Sequence, residues 1–113
     1  MAEQLPVIKG TLDLMVLRAL STNEMHGFEI MTWLEERSEH GLDLDDHALY
    51  QALHRMEARG LIAAEWGATE NNRRARYYSI TETGRAHLRT ETKKWVRSAG
   101  LVTGILTGPL RPS

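Results

Sequence analysis

Apolar residues recur along this chain with helical spacing in its first half, and that spacing lays out three helices. After Lys9-Gly10, the positions Leu12, Met15, Val16, Ala19 and Leu20 follow the i, i+3, i+4, i+7, i+8 rhythm of a buried stripe. Thr11 stands where an N-cap belongs, and Asp13 complements the positive end of the first turn. Leu14 and Leu17 make further faces apolar, so this helix is expected to be covered on two sides, one of them by a second subunit. Ser21-Thr22-Asn23 reads as a break. A second helix is predicted from about His26 to Ser38, burying Phe28, Met31 and Leu34 and ended by His40 and a left-handed Gly41. The third opens at Asp45 or Asp46, carries Leu49, Ala52, Leu53 and Met56 as its core stripe, and stops at Gly60.

Two short strands come next, Ile62 to Trp66 and Arg76 to Ile80. They flank the run Glu70-Asn71-Asn72-Arg73-Arg74-Ala75-Arg76, whose basic residues are expected on a tethered loop at the mouth of a hairpin. Trp66 shares a side with Ile62 and Ala64, which predicts a core position under the hairpin. A hairpin that follows a helix in this way is the wing of a winged helix-turn-helix. Thr81 is the candidate N-cap of a last helix, with Glu82 at its positive end. Along it Leu88, Thr92, Trp95, Ala99, Val102 and Leu106 succeed one another at spacings of 4, 3, 4, 3 and 4, a heptad seam. The competing reading packs the same stripe against its own domain. Gly100, Gly104 and Gly108 recur every four residues and Pro109 and Pro112 forbid continuation, so the chain beyond Ala99 reads as a frayed helix end and a tail. Its apolar run is far shorter than the roughly 20 residues a membrane span needs, and no membrane partner is expected.

Composition narrows the class. With 113 residues, 42% hydrophobic and 26% charged, the chain fits one soluble domain small enough for dimerisation to help it. It has no cysteine, which excludes disulfides, thiol redox sensing and thiolate metal sites. The start Met1-Ala2-Glu3-Gln4 lacks a basic segment leading into an apolar run, so a cytoplasmic protein is expected. The net charge of −1 conceals an asymmetry: residues 1 to 46 hold three bases against ten acids, and residues 47 to 113 hold 11 bases against five acids. Such a split suits a protein with one phosphate-facing surface, since binding to a polyanion follows local potential. The plain alternative is that these charges only solvate exposed helix faces.

The third helix and the loop after it carry the candidate chemistry. At about 100° per residue, His47, Gln51, His54 and Ala58 fall opposite the core stripe, with Tyr50 and Arg55 at its edges. Polar groups in the middle of such a face can reach base edges in a major groove, while the flanking hydroxyl and guanidinium reach phosphates. Any surface helix also has a polar outer face, so the helix alone leaves both readings open. The five histidines offer no usual metal spacing, His47 and His54 lying two turns apart, and neither metal nor cofactor is expected. No nucleophile, base and orienting acid are grouped and no Gly-rich loop follows a strand, so an enzyme is not expected. Trp33 and Trp95 are aromatic surfaces that could line a cavity between subunits and stack a small hydrophobic or aromatic effector; both equally suit core or interface packing.

Several blocks together resemble the PadR-type transcriptional regulators: Lys9-Gly10-Thr11-Leu12-Asp13-Leu14, Met25-His26-Gly27-Phe28-Glu29-Ile30, the run from Ala48 to Glu57, Glu65-Trp66-Gly67 with Glu70 to Tyr78, and Thr81-Glu82-Thr83-Gly84. They occur in family order over roughly residues 8 to 98. The resemblance implies a mainly α winged helix-turn-helix with a small β-hairpin and a C-terminal dimerisation helix. It also implies repression of a nearby gene, relieved by a small molecule. Carried over by position, Tyr50 and the third-helix surface would contact DNA, and Asn72, Arg73, Arg74 and Arg76 would be wing contacts. Two residues depart from the family pattern, Ala48 and Gln51 standing where Ser or Thr and Pro are common. The first removes a hydroxyl; the second adds a side chain able to read adenine.

The expected organisation is therefore a DNA-binding domain at 8–80, a dimerisation helix at 81–106 with Leu88, Thr92, Trp95, Ala99 and Val102 at its interface, and a tail at 107–113. The expected function is a homodimeric repressor on a palindromic double-stranded operator. A winged-helix module that binds an acidic protein partner is the alternative.

Overall fold

The computed structural model describes residues 3–111; Met1, Ala2, Pro112 and Ser113, and with them the outer end of the expected tail, lie outside the described residues. The elements in order are β1 (Leu5–Pro6), α1 (Leu12–Thr22), β2 (Met25–His26), α2 (Gly27–Arg37), β3 (Leu42–Asp43), α3 (Asp46–Ala58), β4 (Ile62–Ala68), β5 (Arg74–Ile80) and α4 (Glu82–Thr107). This is the mainly α winged-helix architecture read from the sequence. No described helix is long and apolar enough to cross a membrane.

α1 is the hub, packed against α2, α3, α4 and β5 of the same chain. Val16, Leu17 and Ala19 are wholly buried there, so the second apolar face is covered at Leu17 without any partner subunit. The helix runs through Ser21 and Thr22, whose hydroxyls donate to the carbonyls of Arg18 and Ala19, and breaks at Asn23. Thr11 holds the N-cap position but does not cap with its side chain; its hydroxyl donates to the Ile8 carbonyl at 2.6 Å.

α2 starts on a reciprocal capping box: His26 Nδ1 accepts from the Glu29 N–H, and Glu29 Oε1 accepts from the His26 N–H at 3.1 Å. Its inner face is Gly27, Ile30 and Leu34. Phe28, expected inside, lies about 160° round the helix from Ile30 and is 76% exposed. The i+3 series Phe28, Met31, Leu34 mistook one edge of the stripe for its centre. The helix ends through two left-handed residues, Glu39 (φ 52°) and His40 (φ 59°), rather than Gly41. Gly41 is needed for a different reason, because a Cβ there would stand 2.9 Å from the Ser38 carbonyl oxygen.

α3 is capped by Asp45, whose Oδ2 accepts from the Ala48 N–H at 3.0 Å. The missing hydroxyl at Ala48 thus costs no cap. The helix buries Leu49, Ala52, Leu53 and Met56 as predicted, and Gly60 (φ 75°) turns the chain into the wing. β4 and β5 pair antiparallel from Ile62↔Ile80 to Ala68↔Arg74, longer by two residues each than the expected strands, and β2 adds to β5 through Met25↔Tyr78 and His26↔Tyr77. The parallel pair β1–β3, joined by Leu5↔Leu42, has no counterpart in the sequence reading.

Thr81 fastens α4 to the wing's root. Its Oγ1 accepts from the Gly84 N–H at 3.0 Å and donates to the Gly60 carbonyl at 2.7 Å. Leu88 packs on the chain's own core, and farther along α4 leaves the domain: Trp95, Val96, Leu101, Val102, Ile105 and Leu106 are all exposed. No fraying follows Ala99; the helix is continuous to Thr107, and the Gly108 N–H still bonds the Gly104 carbonyl at 2.9 Å.

Candidate nucleic-acid interface

The outer face of α3 presents His47, Tyr50, Gln51, His54 and Arg55, all exposed, because the same helical period that buries Leu49, Leu53 and Met56 turns these residues outward. Two of them are tied to other elements. Arg55 Nη2 donates to Asp13 Oδ1 at 2.6 Å, so its charge is already paired across to α1. The Tyr50 hydroxyl lies against the first residue of α2, where a Cβ on Gly27 would overlap it. Replacing Gly27 by alanine is therefore expected to swing the Tyr50 ring aside rather than unfold the chain. The cost should stay within about 1.5 kcal/mol, read by thermal denaturation, while the Tyr50 ring resonances shift strongly.

The wing differs from its expected form. Because the strands are longer, only residues 69–73 form the loop, and Arg74 and Arg76 sit on β5. The turn is held by Thr69: its N–H donates to the Arg73 carbonyl at 2.9 Å, its carbonyl accepts from the Asn72 N–H at 2.8 Å, and its Oγ1 accepts from the Arg73 N–H. Asn72 takes the left-handed conformation (φ 57°) that asparagine tolerates better than most residues. Its identity thus has a structural cause beside any contact it makes.

Trp66 is not core. It does share a face with Ile62 and Ala64, but burial falls along that face from Ile62 outward as the hairpin outruns the helices beneath it, leaving Trp66 58% exposed. Arginines cover it instead, the Arg74 guanidinium 4.2 Å and that of Arg76 5.7 Å from the ring centre. Arg76 also pairs with Glu57 of α3 at 2.9 Å. It is a strut between helix and wing, half-buried, with its Nε unpartnered. Beneath it, burial raises the Tyr78 phenol above its ordinary ionisation range despite the opposing Arg76 charge, and Tyr78 stays neutral.

His47, Gln51 and His54 are thus exposed on α3 and Asn72, Arg73 and Arg74 at the wing, whereas Arg55 and Arg76 serve internal ion pairs. Gly27, against the Tyr50 hydroxyl, and Glu57, paired with Arg76, belong with these elements without having been singled out for it. Nothing local in the sequence signals that Glu57 meets Arg76.

On another side of the chain, Trp33 and Trp95 line one cavity of about 830 Å³ between α1, α2 and α4. Among the described residues no three His, Cys, Asp or Glu side chains gather into a metal-sized group.

Comparison with known proteins agrees with this fold. The model of the Transcriptional regulator PadR-like family matches residues 16–90. The chain is 37% identical over 87 residues to Transcriptional regulator Rv3488 of Mycobacterium tuberculosis, covering 76% of each. A PadR-like transcriptional regulator from Bacillus cereus superposes with a TM-score of 0.76 at 26% identity, over 90% of this chain and 97% of that one. PadR of Bacillus subtilis, solved in complex with operator DNA, shares the fold at a TM-score of 0.65 and 18% identity, over 73% of this chain and 46% of its own.

Proposed function

The chain belongs to the PadR-like family, whose members regulate transcription and are not enzymes, and from that premise we propose that it is a homodimeric repressor of double-stranded operator DNA. The observations that carry the reading are an exposed polar face on α3 and a wing whose Arg73 and Arg74 stand outside any ion pair among the described residues. The B. subtilis relative in its operator complex supports it at the level of fold. In this reading residues 8–80 are the DNA-binding domain, α4 joins two copies, and residues 107–113 are a tail. The protein acts in the cytoplasm.

His47, Gln51 and His54 enter the major groove with Tyr50 at the flank; Gln51 is the residue suited to adenine. Asn72, Arg73 and Arg74 hold phosphates or the minor groove. Arg55 and Arg76 contribute less directly, since each would have to leave a carboxylate to reach DNA. Two-fold pairing of the α4 helices implies a palindromic site with half-sites about one helical turn, or a multiple of it, apart. A small effector in the cavity lined by Trp33 and Trp95 would change the relation between α4 and the winged helix, and so release the operator.

Salt and sequence dependence test the reading. Replacing Arg73 and Arg74 by alanine is expected to weaken binding to all duplexes alike and to reduce the slope of log affinity on log salt by about two. Replacing Gln51 or His54 should instead alter the preference among sequences, with about 1–3 kcal/mol of discrimination lost at one base pair. Absence of salt-sensitive retention on any DNA, including the region upstream of the protein's own gene, would sink the repressor reading.

A further inference from the structure

The outer half of the wing holds an indole where a solvent-exposed strand would ordinarily carry a polar side chain. In the antiparallel register Ala64 faces Tyr78, Trp66 faces Arg76 and Ala68 faces Arg74, so these side chains share one surface of the hairpin. At its root that surface is core, with Ile62 and Tyr78 buried. Farther out Trp66 is exposed, and two guanidinium groups lie over its ring. The two arginines are not held alike. Arg76, 5.7 Å from the ring centre, is anchored independently of the indole, its Nη2 donating to Glu57 Oε2 at 2.9 Å. Arg74 lies closer, at 4.2 Å, is exposed, and has no ion pair among the described residues. What the structure gives its guanidinium to rest on is the Trp66 ring.

We propose that Trp66 is a positioning residue, which holds the Arg74 guanidinium in place for a DNA phosphate. The proposal deepens the DNA-binding reading above and rests on it. A free arginine loses rotamer freedom when it binds, at a cost of roughly ten-fold in affinity. A guanidinium stacked on an indole has lost that freedom before DNA arrives, so the contact starts from a prepared geometry. A carboxylate could hold an arginine equally still, but it would occupy N–H donors and cancel the charge, as Glu57 does for Arg76. An aromatic face takes neither. It attracts the cation through the ring's quadrupole and leaves the N–H fork available for a bidentate phosphate contact. The wing therefore carries both arrangements on one surface: Arg76 committed to the helix behind it, and Arg74 placed but still charged and unpaired.

Trp66→Leu keeps an apolar side chain but removes the π face. On random-sequence duplex DNA the full-length variant is expected to bind about ten-fold more weakly. The slope of log affinity on log salt should stay unchanged, because as many phosphates are contacted as before, whereas Arg74→Ala should lower affinity and slope together. Trp66→Phe, which still offers the guanidinium a ring, should recover most of the loss. In an Arg74→Ala background Trp66→Leu should cost nothing further. A full loss persisting there would overturn the proposal, since the indole would then touch DNA itself or support the fold; undiminished binding by Trp66→Leu would overturn it as well. A measurement without DNA keeps the two readings apart. By nuclear magnetic resonance the Arg74 δ-methylene protons of the parent protein should lie upfield through the indole ring current and return to ordinary positions in Trp66→Leu. Ordinary positions in the parent would overturn the stack whatever the DNA titrations give. Upfield protons in a parent protein that retains no duplex at any salt would instead remove the DNA-binding reading, and this role for Trp66 with it, while the stack itself stood.

Discussion

Alanine at position 84 is expected to lower the thermal midpoint by about 10 °C or more. Gly84 is the only buried residue of α4 among those described, and a Cβ built on it would overlap the carbonyl oxygen of Leu61, with Ile80 Cγ1 at 2.9 Å. The clash is with backbone, which cannot step aside as a side-chain tip can. That backbone is also committed, since the Leu61 carbonyl accepts from the Thr81 N–H at 3.1 Å and the Thr81 hydroxyl caps the helix. Relief would require α4 to lift off the root of the wing, giving up the cap and the packing of Leu88 on the core. Overpacking of this kind typically costs 1–3 kcal/mol, occasionally more; with backbone as the obstacle the upper end, about 3 kcal/mol, is expected. That is a large share of the roughly 5–15 kcal/mol that holds a domain together. Gly100 supplies the control, because it lies in the same helix with nothing within 4 Å. Gly100→Ala should stabilise by up to about 1 kcal/mol through helix propensity alone. Calorimetry of both variants decides the matter; equal effects would show that α4 does not seat on the wing at Gly84.

The second large effect concerns assembly. Replacing Trp95 and Val102 together by aspartate is expected to give a folded monomer, with operator affinity lower by about 100-fold or more because the two half-sites no longer bind as one unit. Both residues belong to the heptad stripe and are exposed in the single chain, 41% and 55%. A continuous apolar stripe of this kind rarely faces water in a soluble protein unless something covers it. Carboxylates there would be desolvated in a dimer yet remain hydrated in a monomer, so they should oppose association with little cost to the fold. Leu88 is unsuitable for the same test although it begins the stripe, because it packs on the chain's own core and its loss would confuse unfolding with dissociation. The stripe is divided along its length: Leu88 packs on the chain's own core, and Trp95, Val102 and Leu106 are exposed in the single chain. Light scattering on the double variant checks this; a persistent dimer would mean that another surface joins the subunits.

The parts of the fold legible from sequence are those that near neighbours decide. The stripe and Asp45 cap of α3, the stop at Gly60, the Thr81 cap of α4 and the pairing of β4 with β5 all follow from contacts within a few residues or across one short turn. The same holds for the outward positions of His47, Gln51 and His54, since a helix that buries Leu49 and Leu53 must turn them outward. Prediction failed where a residue's surroundings come from far along the chain. Phe28 and Trp66 are large and apolar, and their exposure follows only from where α2 and the wing meet, or fail to meet, the rest of the core. Leu17 looked like a subunit contact because nothing in its local sequence announces that the same chain would close over it.

The sequence by itself thus determined a winged helix followed by a long helix, and an outward polar face on α3, because helical period and capping are local properties of the backbone. Only the tertiary structure decided which cations are paired within the described chain. Arg55 finds Asp13 from 42 positions away and Arg76 finds Glu57 from 19, while Arg73 and Arg74 are left to the wing's surface and Arg18, Arg37, Arg89 and Lys93 to the cavity. A charge is spoken for or available according to what stands within a few ångströms of it, and that distance is set by the packing of whole elements rather than by the order of residues.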